Sequence, residues 1–492
     1  MKVLILITAF NVERFIEKVI LRLPNKLKKS QLNFEILIID DASNDNTLKK
    51  IISIRDKYKD YKITCLSNKV NLGYGGNQKI GYHYAIKNNF DYIILLHGDG
   101  QYAPEKILDM LDPLINNNVD VVQGSRMIKK TDALKGKMPI YKFIGNVVLT
   151  LIQNFLTRLN LSEYHSGYRS YKVSALREIP FHLNSNQFHF DTQILIQLSI
   201  AKKKIYEIPI PTFYGKEISS LNSIQYGFAI LGTTFVFFLQ KFGIFYDPKF
   251  NFLKKEGPDN YESKVDFLST HSIAYNEIRS NSKILSIGCG NAHLEKKLIK
   301  DKKCQVDGID FVNIPNLNFL NSFSVVDLDK DNIELKRDDY DCILLLDVIE
   351  HIKDPEKFIS DLGEKMSNFP KMKLIISTPN VANIIIRIML LFGNFNYGLR
   401  GILDKTHTRL FTLSSFKKLI MDQNLEIEKV YFVPPPFLLV IKNKLFGNFL
   451  ISIFAILNKI RGKLFAFQFL NIVKAKPNLE YLLAKSSIDE DN

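Results

Sequence analysis

Cysteine is scarce in this chain. Cys65, Cys289, Cys304 and Cys342 are its four, and none stands at the short paired spacing of a metal or dithiol site. That argues against a disulfide-stapled scaffold and for buried thiols in a reducing compartment. The opening residues carry no secretory pattern. The apolar run 3–10 turns polar at Asn11, Glu13 and Arg14 without a small-residue cleavage site. The expectation is a buried first strand and a protein facing the cytoplasm. No compact Arg/Lys stripe interleaved with aromatics occurs, so nucleic acid is not expected as a partner. The formal net charge of +15 either marks an anionic partner or reflects a lysine- and asparagine-rich composition. At 492 residues, 46% hydrophobic and 24% charged, the chain is folded protein too long for one core.

The first part alternates short aliphatic runs (3–10, 35–39, 92–96 and 119–123) with helical spacing at 12–23, 46–58, 74–88 and 104–115. Short apolar runs of this kind suit parallel strands buried on both faces. Pro248, Gly257 and Pro258 punctuate a charged stretch at 247–259. A second βα alternation follows, with strands expected at 283–287, 305–309, 342–346 and 373–377 and helices at 292–300 and 355–366. The fold class is therefore α/β with two doubly wound domains, without internal repeat. Their expected extents are 1–245 and 265–480, joined by a linker at 246–264 and followed by a tail at 481–492.

Three segments are greasy. Residues 228–239 are apolar all round but fall short of the ~20 needed to cross a bilayer, and 384–392 is broken by Arg387. Residues 434–464 mix Leu, Ile and Phe with Lys442, Lys444, Lys459, Arg461 and Lys463. That last pattern suits helices lying in a membrane interface with snorkelling lysines. Ordinary helices packed on their own domain are the alternative.

In the first domain Asp40 and Asp41 follow the second strand, and Asp99 follows the fourth between His97 and Gln101. Carboxylates at strand ends accept hydrogen bonds from a base and ribose, and a carboxylate with an oxygen-donating neighbour holds Mg²⁺ or Mn²⁺ against a diphosphate. A helix N-cap is the alternative for either Asp40 or Asp41. The stretches Thr8-Ala9-Phe10-Asn11, Ile38-Ile39-Asp40-Asp41-Ala42-Ser43 and Asn71-Leu72-Gly73-Tyr74-Gly75-Gly76 resemble family 2 glycosyltransferases of GT-A type. So do His97-Gly98-Asp99-Gly100-Gln101, Gly124-Ser125-Arg126 and Ser166-Gly167-Tyr168-Arg169, most closely those of polyprenyl-phosphate sugar transferases. The resemblance implies Asp40 and Asp41 at the nucleotide, Asp99 with Gln101 at a metal-diphosphate, and Arg126 and Arg169 offering charge to phosphate. It implies Asp191 near the acceptor, a base that a hydroxyl acceptor needs and a lipid phosphate does not. His97 stands where the family keeps the first acid of Asp-x-Asp, and imidazole suits Mn²⁺ better than Mg²⁺.

In the second domain Gly288 and Gly290 follow a strand, and Asp310 ends the next one about twenty residues on, where dinucleotide folds place an acid for ribose. The third glycine of that fingerprint is absent, since position 293 is His. Asp347-Val348-Ile349-Glu350-His351, Ser377-Thr378-Pro379-Asn380 and Asp404-Lys405-Thr406-His407-Thr408-Arg409 are similar to class I S-adenosylmethionine-dependent methyltransferases. The resemblance implies a Rossmann-like fold whose last strand lies at 465–475, with 434–464 as an insertion. It implies Gly288, Cys289 and Gly290 at the methionine end, Asp310 at the ribose and Asp327 at the adenine. Ser286 replaces the usual acid before the first glycine. His351 and His407 are candidate bases, with a structural role as the alternative for each.

Together the two resemblances imply a bifunctional transferase. It would use a nucleotide-sugar and a divalent metal (Mg²⁺ or Mn²⁺) in one half and S-adenosylmethionine in the other. Its acceptor would be a polyprenyl phosphate or glycan, in a surface-glycan pathway at the inner face of the cell membrane, with the protein peripherally bound. The alternative is a membrane-associated assembly module in which one site, the first, binds without turnover.

Overall fold

The computed structural model describes every residue except 30–31, 137, 213–222, 242–244, 253–263, 332, 334–339, 399, 440, 442, 479–480 and 483–492. The chain forms two compact units. One contains residues 1–238 and 247–254, the other 239–246 and 255–492. Gly257, Pro258 and nearly all of the expected tail lie outside the described residues.

The first unit is built on seven strands: β1 (Lys2–Ala9), β2 (Asn33–Asp40), β3 (Lys62–Ser67), β4 (Tyr92–His97), β5 (Val121–Ser125), β6 (Arg169–Lys172) and β7 (Ile205–Pro209). Their order is β3-β2-β1-β4-β6-β5-β7. All pairings are parallel except those of β6, which runs antiparallel to both β4 and β5. The two-residue period of a strand divides β1 between two cores. Val3, Ile5 and Ile7 pack on one face of the sheet, Leu4 and Leu6 on the other. That is why β1 is a continuous aliphatic run with no polar alternation.

The second unit repeats this logic with β8 (Lys283–Ile287), β9 (Gln305–Asp310), β10 (Ser322–Val325), β11 (Cys342–Leu346), β12 (Lys373–Pro379), β13 (Leu425–Val433) and β14 (Gln468–Ala475). The order is β10-β9-β8-β11-β12-β14-β13, with β14 antiparallel to both neighbours. Leu285, Ile287, Ile343 and Leu345 enter one core, and Ile284, Cys342 and Leu344 the other. The final strand starts at Gln468 rather than at 465, and Phe469 lies in it, fully buried. Phe465 instead ends the preceding helix. The four cysteines are free thiols.

The segment 228–239 belongs to a longer helix than its apolar run suggests, Ser223–Gln240. This helix and Lys444–Phe465 are long and apolar enough, by length and composition, to cross a membrane. A third helix, Ile140–Thr157, is inside out. Its buried residues are Asn146, Thr150, Gln153 and Thr157, while Ile140, Tyr141, Ile144, Val148, Leu151 and Phe155 are exposed. The inward polar face is bonded: Asn146 donates to Glu163 (2.9 Å), Gln153 to Thr192 (3.2 Å), and Thr157 shares a hydrogen with the Tyr164 hydroxyl (2.9 Å). Lys444–Phe465 shows a related inversion, with Gly447, Asn458 and Gly462 among its buried residues and Leu445, Phe446, Phe449, Ile456 and Ile460 exposed.

The glycine-rich start of the helix Gly73–Lys87 is a packing device. A Cβ on Gly75 would stand 2.5 Å from the Ser185 carbonyl oxygen and 2.7 Å from Phe190 Cβ. Because one obstacle is backbone, Gly75→Ala is expected to destabilise the first unit by about 1–3 kcal/mol, read as a lowered urea midpoint for that unit's transition.

Candidate functional site

In each unit the candidate residues sit at the carboxyl ends of the parallel strands, where the ladder stops and backbone amides need other partners. In the first unit the edge is stitched by backbone bonds: Asp41 N to the Ala9 carbonyl (2.8 Å), Gly98 N to Thr8 (2.8 Å) and Asn68 N to Asp40 (2.8 Å). Asn11 and Ala42 turn their loops with positive φ, 53° and 55°.

Asp40 and Asp41 are both buried but differ in what they hold. Asp41 accepts from Asn68 Nδ2 (2.7 Å) and Leu72 N (2.9 Å) on Oδ1 and from Gly73 N (2.9 Å) on Oδ2. Both its oxygens thus anchor the start of the helix Gly73–Lys87, a capping role reached from a neighbouring strand. Asp40 accepts from Ser43 N and the Ser67 hydroxyl through Oδ2, while Oδ1 is buried with no hydrogen-bond partner. A buried acceptor without a donor is uncommon and marks a place where a ligand N–H or O–H fits.

Asp99 is half-buried, and its Oδ1 takes the Gln101 backbone amide at 3.0 Å. His97 is packed against tyrosines. Its ring lies edge-on to Tyr74 and Tyr102, and Nε2 is 3.5 Å from the Tyr74 hydroxyl. Burial lowers its pKa, keeping the ring neutral. His97, expected at the metal, has its ring in contact with Tyr74 and Tyr102. The carboxylate Asp99 by itself still fits a hard cation whose remaining ligands are diphosphate oxygens, the usual manner of Mg²⁺.

The two arginines expected to face phosphate are turned inward. The Arg126 guanidinium is paired with the fully buried Glu163, Nε lying 3.1 Å from Oε1, and the Arg126 backbone amide donates to the same carboxylate at 2.8 Å. Arg169 is 0% exposed and bridges Asp191 Oδ1 (3.3 Å), the Asp191 carbonyl (2.9 Å) and the Tyr164 carbonyl (2.9 Å). The other Asp191 oxygen accepts from the Tyr74 hydroxyl at 2.8 Å. Burial pushes the Asp191 carboxyl above the ordinary carboxylate range, and Arg169 pulls the other way. Glu163 and Tyr74 were not singled out in the sequence. A buried acid opposite an arginine leaves no local spacing to read.

In the second unit Gly288 (φ 71°) and Gly290 (φ 52°) shape the loop after β8. A Cβ on Gly288 would come within 2.3 Å of Val348 Cγ2. Asp310 accepts from Gly290 N (2.8 Å) and Val312 N (3.1 Å), locking the glycine loop to the end of β9. Asp327 lies beside it, since Val326 N bonds the Asp310 carbonyl (2.9 Å), and Asp327 also pairs with Lys330 (2.8 Å). Cys289 is half-buried, and burial raises its pKa, so it stays a neutral thiol. Ser286, which stands in place of an acid, donates to the buried Glu295 at 2.6 Å. The helix after the loop therefore returns a carboxyl group to the position the strand has lost. Asp347, φ 58°, accepts from the Ser377 hydroxyl (2.6 Å) and Gln468 (2.8 Å). His351 and His407 come together, ring centroids 4.9 Å apart. The loop bearing His407 is docked through Thr408 N and Arg409 N on the Glu350 carbonyl, at 2.9 and 3.1 Å.

Because Arg169 is the cation bonded to a buried carboxylate, Arg169→Met is expected to destabilise the first unit by about 3–5 kcal/mol. The double variant with Asp191→Asn should recover part of that loss, as a double-mutant cycle of chemical unfolding checks.

Residues 4–180 match the model of glycosyl transferase family 2, and residues 254–430 match that of a methyltransferase domain. The UDP-N-acetylglucosamine–dolichyl-phosphate N-acetylglucosaminyltransferase of Methanococcus voltae is 29% identical over 238 residues, 46% of this chain and 92% of that protein. An uncharacterized protein of Methanocaldococcus jannaschii is 30% identical over 234 residues, 47% of this chain and 89% of its own length. The undecaprenyl-phosphate mannosyltransferase of Micrococcus luteus is 25% identical over 240 residues, 48% and 93%. Among solved structures, glucosyl-3-phosphoglycerate synthase from Mycobacterium tuberculosis aligns with a TM-score of 0.34 at 13% identity, covering 49% of this chain and 79% of that one. The chain is a fusion of two transferases, belonging to family 2 of the glycosyl transferases through its first unit and carrying a methyltransferase domain in its second.

Proposed function

We propose that the first unit moves a sugar from a nucleotide-sugar onto a polyprenyl phosphate at the inner membrane face. The second unit would methylate an acceptor of the same surface-glycan pathway with S-adenosylmethionine. The observation that carries the first half is the unpartnered, buried Asp40 oxygen at the sheet edge that also carries Asp99, on the other side of β1. Asp40 accepts an N–H of the base and Asp41 holds the loop that frames it. Asp99 anchors the diphosphate through a divalent cation, which when bound supplies positive charge to the departing nucleoside diphosphate.

Asp191 bears on the acceptor. Both its oxygens are already bonded, to Arg169 and Tyr74, and the residue is buried. A carboxylate so held is badly placed to remove a proton, which favours an acceptor that needs no base, a lipid phosphate, over a glycan hydroxyl. The relatives named for dolichyl-phosphate and undecaprenyl-phosphate transfer support the same acceptor class. The inverted helices support a peripheral membrane position. An apolar outer face over a bonded polar inner one places the favourable contact in lipid rather than water.

For the second half, Asp310 with the Gly288–Gly290 loop holds the ribose and methionine end, and Asp327 flanks the adenine. S-adenosylmethionine supplies an electrophilic methyl, and these residues align it with the acceptor. One observation favours the alternative, a first site that binds without turnover. The ring of His97, in the first metal position, is engaged by tyrosines.

Purified protein incubated with a panel of sugar nucleotides, polyprenyl phosphate and Mn²⁺ or Mg²⁺ is expected to release nucleoside diphosphate, at a rate about 100-fold lower or less in Asp99→Ala. Binding of sugar nucleotide without release would establish the alternative. S-adenosylmethionine affinity should fall about 10- to 100-fold in Asp310→Ala, the loss of a charge-assisted hydrogen bond. Unchanged affinity would remove the ribose assignment. Cosedimentation with anionic liposomes should weaken as salt rises.

A further inference from the structure

Glu350, His351 and His407 offer ligand atoms that all lie within 4.8 Å of one another, the one such group of His, Cys, Asp or Glu found among the described residues. Glu350 is 1% exposed, and neither of its carboxylate oxygens has a hydrogen-bond partner. As an anion, a buried carboxyl group bare on both oxygens is costly unless a cation completes it, and otherwise it keeps its proton.

The two histidines are oriented for that task. His351 Nδ1 is 3.1 Å from the Thr406 carbonyl, and His407 Nδ1 is 3.0 Å from the Ile402 carbonyl. A carbonyl oxygen only accepts, so Nδ1 carries the hydrogen in both rings, and in the neutral ring Nε2 keeps its lone pair. Backbone carbonyls that fix the tautomer in this way are the usual outer partners of metal-binding imidazoles. A base needs only one such histidine, whereas two fixed rings over an empty-handed carboxylate make a ligand set.

We propose that Glu350, His351 and His407 bind a divalent first-row cation in the second unit, and that this cation takes an acceptor hydroxyl as a further ligand. Two imidazoles and one carboxylate suit Mn²⁺, Fe²⁺ or Zn²⁺ and leave coordination positions open. The place in the fold is apt. Glu350 and His351 follow β11, which pairs with β8, the loop bearing His407 is bonded back onto the Glu350 carbonyl, and Val348 packs over the Gly288 position of the glycine loop. The ion's catalytic role rests on the methyltransferase reading, but its binding does not. Coordination lowers the pKa of the acceptor hydroxyl, and its proton passes to solvent. The oxygen then forms the O–CH₃ bond as the S–CH₃ bond breaks, and the bonding pair returns to sulfur as the neutral thioether. The substrate class is thereby an alcohol oxygen rather than an amine or a carbon.

The test uses the full chain carrying Asp99→Ala, which silences the candidate cation carboxylate of the first unit. Mn²⁺ is titrated and followed by electron paramagnetic resonance, with S-adenosylmethionine binding measured in parallel by calorimetry. One Mn²⁺ per chain with nitrogen coupling is expected, weakened at least about tenfold in His351→Ala, a substitution at an exposed residue, and in the isosteric Glu350→Gln. S-adenosylmethionine affinity should be unaltered in both. The proposal is overturned if the parent binds neither Mn²⁺ nor Zn²⁺, or if binding and nitrogen coupling persist in both variants. Metal bound at this site in a chain without affinity for S-adenosylmethionine would uphold the cation site and remove the methyl-transfer reading.

Discussion

Parallel strands that end together leave a row of backbone amides beyond the last ladder bond, and in both units acidic side chains meet that need. Asp41 takes the amides of Leu72 and Gly73, and Asp310 those of Gly290 and Val312. Each joins a strand end to the loop or helix that follows a different strand. The loops that face a ligand are thereby set by hydrogen bonds to charged acceptors, stronger than neutral ones.

The same constraint separates residues that build the site from residues left to act. Asp41, Arg169 and Glu163 are bonded into the framework. Asp40 keeps one buried oxygen without a partner, and Glu350 keeps two. In a folded protein such groups are exceptions, and here both lie at the carboxyl edge of a sheet, where the fold gathers its ligands. The network behind the first edge also extends outward. Glu163 holds Arg126 and accepts from Asn146 on the inverted helix Ile140–Thr157, so the apolar outer surface of that helix and the inner site share one buried anion.

Compensation explains one departure from the family pattern. Ser286 lacks the acid expected after β8, yet Glu295 reaches it from the next helix. Nine positions on, roughly the length of the loop and one helical turn, a carboxyl restores the hydrogen-bonding character of the site. His97 has no comparable repair, because its ring is packed among Tyr74, Tyr102 and Gly167.

What the sequence determined by itself was local and periodic. The aliphatic runs of β1, β4, β8 and β11 are legible because strands buried on both faces must be apolar throughout. The acids at their ends are legible because they follow those runs directly. The tertiary structure decided the rest. It placed β6 and β14 antiparallel within otherwise parallel sheets, turned Arg126 and Arg169 inward, and closed Glu350, His351 and His407 into one cluster. It also showed Ile140–Thr157 to be inside out, which composition cannot tell from an ordinary amphipathic helix, since the same stripe serves a core or a membrane. The physical reason is common to all of these. Pairing partners, burial and the direction of a charge depend on residues distant in the chain, and no spacing within a segment records them.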